Sequence, residues 1–144
     1  MKAVVQRVIR AKLKVDGETI SEIGKGLVVF VGVSAKDGSE QIGYFVKKLP
    51  LLRIFEDENG KINKSVIDVG GEILLVSQFT LFADTSHGNR PSFTDAGEPT
   101  MAKDTYLRLG KELEKFVPVK YGVFGADMKI EQLNDGPFTV VMEK

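Results

Sequence analysis

Gly26-Leu27-Val28-Val29-Phe30-Val31-Gly32-Val33 is an uninterrupted apolar run of strand length, rich in β-branched residues. Such a run reads as a strand covered on both faces rather than one with a wet side. Ile73-Leu74-Leu75-Val76 is a second segment of the same kind. Upstream, Ala3 to Val8 is β-rich, and Leu13, Val15, Ile20 and Ile23 alternate around Asp16-Gly17, the signature of a hairpin. Between the two buried strands, Ser39 to about Leu49 carries Ile42, Phe45, Val46 and Leu49 at helical spacing, with Ser39 as cap and Pro50 as stop. Arg53-Ile54-Phe55 reads as a short strand before the Asn59-Gly60 turn. Thr100 or Met101 to Phe116 reads as a second helix, with Tyr106, Leu109, Leu113 and Phe116 on one face and Pro118 ending it. Met128 to Leu133 and Phe138 to Met142 complete the chain as two strands joined by a turn at Asn134-Asp135-Gly136-Pro137.

The strands cluster instead of alternating regularly with helices. The expected fold is therefore an α/β protein of α+β type: a mostly antiparallel mixed sheet or barrel with two principal helices. No repeat or low-complexity linker divides residues 1–144, so a single domain is expected.

Composition narrows the chemistry. With no cysteine, thiolate nucleophiles, disulfides and cysteine zinc sites are excluded. The charged N-terminal segment is neither a signal peptide nor a membrane span, so a cytoplasmic protein without membrane association is expected. Twenty basic and twenty acidic residues balance, which argues against coating long nucleic acid, DNA included. A short piece held in a pocket remains compatible with that balance. The single histidine, His87, lies in a Gly/Ser-rich loop from Asp84 to Pro99, and no acidic or histidine cluster has metal-ligand spacing. No glycine pattern cradles a nucleotide. Neither a metal nor a cofactor is expected.

Two stretches stand out. At Ser77-Gln78-Phe79-Thr80 a buried strand hands over to small polar residues, a place where a rigid scaffold presents polar atoms to solvent. At Gly136-Pro137 a fixed Gly-Pro unit can expose backbone carbonyls where no side chain intrudes. Each also has a plain structural reading, as a strand end and as a turn.

Across nearly its whole length the chain resembles the D-aminoacyl-tRNA deacylases. The resemblance rests on Met1-Lys2-Ala3-Val4-Val5-Gln6-Arg7-Val8, Leu52-Arg53-Ile54-Phe55, Val69-Gly70-Gly71-Glu72, Ser77-Gln78-Phe79-Thr80-Leu81, Arg90-Pro91-Ser92-Phe93, Phe124-Gly125-Ala126-Asp127-Met128 and Asn134-Asp135-Gly136-Pro137, in that order. One departure is Phe138, where the family usually has valine after Gly-Pro.

The resemblance implies a homodimer acting on the 3′ end of aminoacyl-tRNA. It implies that each cis Gly136-Pro137 enters the partner's pocket, lined by Ser77, Gln78, Phe79 and Thr80, and excludes L-amino acids by steric clash, leaving glycyl-tRNA as a secondary substrate. It gives Arg7 the task of holding the partner's Gly-Pro loop, and Phe79, Phe93 and Met128 that of a wall for the terminal adenine. Two routes for the ester hydrolysis stay open. Thr80 could attack directly, although no activating base is evident in its motif. Alternatively, water attacks with help from the substrate's ribose hydroxyl, and backbone amides near Phe79 and Thr80 hold the oxyanion; this second route is favoured. Rival readings are an RNA-binding module without turnover and a general esterase using Thr80.

Overall fold

The computed structural model describes residues 1–144, and its strands and helices follow one another as β1 (Lys2–Val15), β2 (Glu18–Ile23), β3 (Gly26–Gly32), α1 (Ser39–Lys48), β4 (Phe55–Glu56), β5 (Ile62–Lys64), β6 (Glu72–Ser77), α2 (Pro99–Leu113), β7 (Val119–Tyr121) and β8 (Lys129–Glu143). Strand β1 organises the sheet. Its first half pairs antiparallel with β3 and its second half with β2, while β8 runs antiparallel along its other edge. β6 then pairs parallel with β3, and β7 parallel with β6. The sheet is thus mixed, with antiparallel pairing around β1 and parallel pairing wherever a helix intervenes. That division has a simple cause: parallel neighbours need a crossover, and α1 and α2 lie in the two crossovers. At the far side Ser21 donates its hydroxyl to the Tyr121 carbonyl at 2.6 Å, which brings β2 against β7 and nearly closes a barrel.

The two faces of the sheet carry separate cores. Val28, Leu74 and Val76 point inward and pack with Val8, Ala11, Leu13 and Ile23. Leu27, Val29, Val31, Ile73 and Leu75 point the other way, onto Phe45, Tyr106, Leu109 and Leu113 of the helices. This double coverage is why the opening apolar run lacks alternation. Buried Tyr106 keeps its hydroxyl satisfied by donating to the Leu75 carbonyl at 2.8 Å. The hairpin turn behaves as its residues require, with Asp16 at φ 50° and Gly17 at φ 84°.

Several boundaries differ from expectation. Gly38, not Ser39, occupies the cap of α1, and its N–H donates to Gln41 Oε1 at 3.0 Å. The Arg53–Phe55 strand is displaced to Phe55–Glu56 and pairs with β5. Helix α2 stops at Leu113, so Phe116 is not on its buried face and is 54% exposed. The largest correction concerns the tail, where Lys129–Glu143 is one continuous strand instead of two.

Pro99 opens α2 and Glu98 caps it, accepting from the amides of Thr100 at 3.0 Å and Met101 at 3.2 Å. The Met101 and Thr100 amides hold the Glu98 carboxyl below its ordinary value of 4.5. A depressed carboxyl contributes stability that is present above its unfolded value and lost as pH falls through the folded one. Urea unfolding at a series of pH values should therefore show Glu98→Gln losing less stability than the wild type as pH drops below that ordinary value. Parallel acid limbs for the two proteins would contradict the assignment.

Candidate functional site

β6 ends at Ser77, where the Gln78 N–H donates to the Val31 carbonyl at 2.8 Å and so ties the strand end to β3. The chain then turns into a 3-10 helix over Phe79–Phe82, whose first bond runs from the Leu81 amide to the Gln78 carbonyl at 3.3 Å. The amides of Phe79 and Thr80, at the start of that turn, have no acceptor within it. Gln78 Nε2 donates to Thr80 Oγ1 at 2.5 Å. An amide cannot take a proton at neutral pH, so this neighbour orients the hydroxyl without activating it. His87 is engaged elsewhere, with Nδ1 2.8 Å from Ser86 Oγ.

Two cavities flank this strand end and share Ser77, Phe79, Phe124 and Gly125 in their walls. One, about 300 Å³, is closed by Val33, Ala96, Gly97, Pro99 and Ala102 and is largely apolar. The other, about 310 Å³, adds Gln78, Asp127, Met128 and Ile130. Phe79 is 56% exposed, an unusual state for an aromatic ring, and Phe93 meets it edge-on with centroids 5.1 Å apart. Ser77, Gln78, Phe79 and Met128 therefore border one cavity, with Thr80 and Phe93 attached to it. Phe124 and Gly125 complete the wall, a place that their side chains do not signal in the sequence. The available signal was Gly125, which adopts φ 77° and so turns the chain past the cavity.

Gly136, Pro137 and Arg7 gather at a second place and line neither cavity. In the β1–β8 register Gln6 faces Thr139 and Val8 faces Asn134, so Asp135 to Phe138 bulge out opposite Arg7 alone. The Gly136-Pro137 bond in that bulge is cis, and Gly136 has φ 132°. Beneath it Arg7 is buried to 5% exposure. Its Nε donates to the Asp135 carbonyl at 3.1 Å and lies 3.2 Å from Asp135 Oδ2, and its Nη1 donates to the Ile54 carbonyl at 2.6 Å. Arg7 thus holds the loop carrying its own chain's Gly136-Pro137, where the resemblance implied the partner's loop, because the β8 bulge lies directly opposite Arg7 in the β1–β8 pairing.

The chain matches known proteins over nearly its whole length. Residues 4–143 fit the family model described as D-Tyr-tRNA(Tyr) deacylase. A D-aminoacyl-tRNA deacylase of Persephonella marina (strain DSM 14350 / EX-H1) is 52% identical over 99% of this chain and 97% of its own. A solved structure of a c-Myc DNA Unwinding Element Binding Protein is 44% identical, with a TM-score of 0.95 over 100% of this chain and 99% of that one. A probable eukaryotic D-amino acid tRNA deacylase, 19% identical, shares the fold with a TM-score of 0.81, covering 98% of this chain and 97% of its own. The family match and the full-length relative define a hydrolase acting on aminoacyl-tRNA. The chain belongs to the D-Tyr-tRNA(Tyr) deacylase family and has D-aminoacyl-tRNA deacylase activity. No helix is long and apolar enough to cross a membrane.

Proposed function

We propose that this enzyme proofreads chirality as a cytoplasmic homodimer, each Gly136-Pro137 loop entering the partner's Ser77–Thr80 site to exclude L-amino acids. The observation that carries the reading is the separation of two complementary parts. One is the Gly136-Pro137 unit on an outward bulge, and the other is a site whose cavities that unit does not line in its own chain. A second copy supplies the missing wall. Support for that copy comes from β8, whose only strand partner is β1, and from exposed Ile9, Leu133 and Val141 around it, the last at 69% exposure.

In the assembled site the loop carbonyls accept from the α-amino group, leaving space for a side chain on one side of Cα only. Glycyl-tRNA carries nothing that clashes and is hydrolysed as a secondary substrate. The terminal adenine packs against Phe79, Phe93 and Met128. Water attacks the ester with help from the ribose hydroxyl, and the free amides of Phe79 and Thr80 receive the oxyanion. Ser77, Gln78 and Thr80 orient substrate and water. The lack of a base on Thr80 Oγ1 favours water over a covalent Thr80 ester.

Matched D-tyrosyl-tRNA and L-tyrosyl-tRNA, offered to purified protein in chelator, test this reading. Release from the D-ester alone is expected, and Thr80→Ala should keep activity within about tenfold, since positioning rather than nucleophilicity is lost. Equal release from both esters, or an inactive Thr80→Ala, would favour a general esterase; binding without turnover would favour an RNA-binding module.

A further inference from the structure

Arg7 is gripped from more than one side. Asp135, which precedes Gly136-Pro137, takes its Nε through both a carbonyl and a carboxylate. Phe138, which follows that unit, lies with its ring centroid 5.1 Å from Arg7 Cζ. The two shoulders of the bulge therefore meet on one guanidinium, while the Ile54 carbonyl fixes its far end. Phe138 also packs against the main core, so the ring is anchored independently of the loop. A guanidinium that is only 5% exposed gains more from an aromatic face than one in water does. Valine at this position would offer no such face and less reach.

We propose that Phe138 is a positioning residue of the chirality filter, its ring over Arg7 completing a clasp that fixes the Gly136-Pro137 carbonyls. This rests on the proposed role of that loop. The ring packs on Arg7 and on the core of its own chain, so it acts through Arg7 and the loop, and its loss should relax selectivity more than it slows turnover.

The test compares wild type, Phe138→Leu, which keeps apolar bulk without a π face, and Phe138→Tyr, which keeps the ring. Two measurements are made: kcat/KM on D- and L-tyrosyl-tRNA, and the Arg7 Nε–H resonance with its solvent exchange rate. Phe138→Leu should lower the D-over-L ratio about tenfold, equivalent to about 1.4 kcal/mol, with kcat on the D-ester changed less than about twofold. Its Arg7 signal should lose its ring-current shift and exchange faster. Phe138→Tyr should match the wild type in both. An unchanged ratio in a folded Phe138→Leu, or an Arg7 signal equal in all three proteins, would overturn the proposal. If the wild type itself fails to discriminate, the reading of the loop falls, whatever the Arg7 signal shows. The resonance then separates that failure from the absence of a clasp.

Discussion

Gly136→Ala is expected to lower the preference for D- over L-tyrosyl-tRNA by about 100-fold, while kcat/KM on the D-ester falls by about tenfold. Gly136 holds φ 132°, a region in which an L-residue is strained by about 1–3 kcal/mol. Space is equally short, because an added Cβ would sit 2.6 Å from the Phe138 amide nitrogen. That neighbour is backbone, so relief requires the bulge itself to move. The proposed filter requires carbonyls held to within a fraction of an ångström, and a displacement of about 1 Å can cost about 100-fold. L-esters gain because the wall that excluded them recedes, and D-esters lose the acceptor for their amino group. Steady-state kinetics on both esters, with urea unfolding as a check on folding, measure this directly. Full retention of L-rejection by a folded Gly136→Ala would remove the loop from the account.

Phe79→Pro should reduce kcat by a further factor of about 100 to 1,000 relative to Phe79→Ala, the cost of deleting one oxyanion donor. Both variants lose the ring, so their difference isolates the amide. The backbone tolerates the change: Gln78 lies at φ −145° and ψ 82°, outside the helical region that a residue before proline avoids, and proline suits the first position of a helical turn. Phe79→Ala alone should act mostly on KM, since the exposed ring contributes a stacking face rather than chemistry. Equal kcat values for the two variants would show that the Phe79 amide does not touch the reacting carbonyl.

Much of this arrangement is written in local pattern. The apolar runs at Leu27–Val33 and Ile73–Val76, the Asp16-Gly17 turn and the helical spacing of Phe45 and Tyr106 all lead to elements that form. β5 and β7, three residues each, are too short to show periodicity and take their form from neighbours. The tail misled for a physical reason. Asn134-Asp135-Gly136-Pro137 has the composition of a turn between strands, and locally it does leave the ladder. Yet Gln132 and Thr139 on either side still pair with the same strand, because a buried arginine fills the space beneath the bulge. Only the long-range partner distinguishes a bulge from a hairpin. The site shows the same limit. The polar strand end at Ser77–Thr80 is visible in sequence, whereas Ala96, Gly97 and Phe124 come to the cavity only through the path of the sheet and α2. Only whole-chain resemblance, not periodicity, relates Ser77–Thr80 to Gly136-Pro137.

The most direct test of the central claim, that a site is completed by the partner's loop, is activity of mixed dimers. Phe79→Pro impairs the site and spares the loop, and Gly136→Ala does the reverse. Heterodimers isolated with two different affinity tags contain one intact pairing if loop and site come from different chains. Such heterodimers should recover D-selective deacylation at about half the wild-type rate per dimer, while each homodimer stays defective. Heterodimers no more active or selective than the average of the two parent homodimers would show that each chain builds its site alone, contradicting the account.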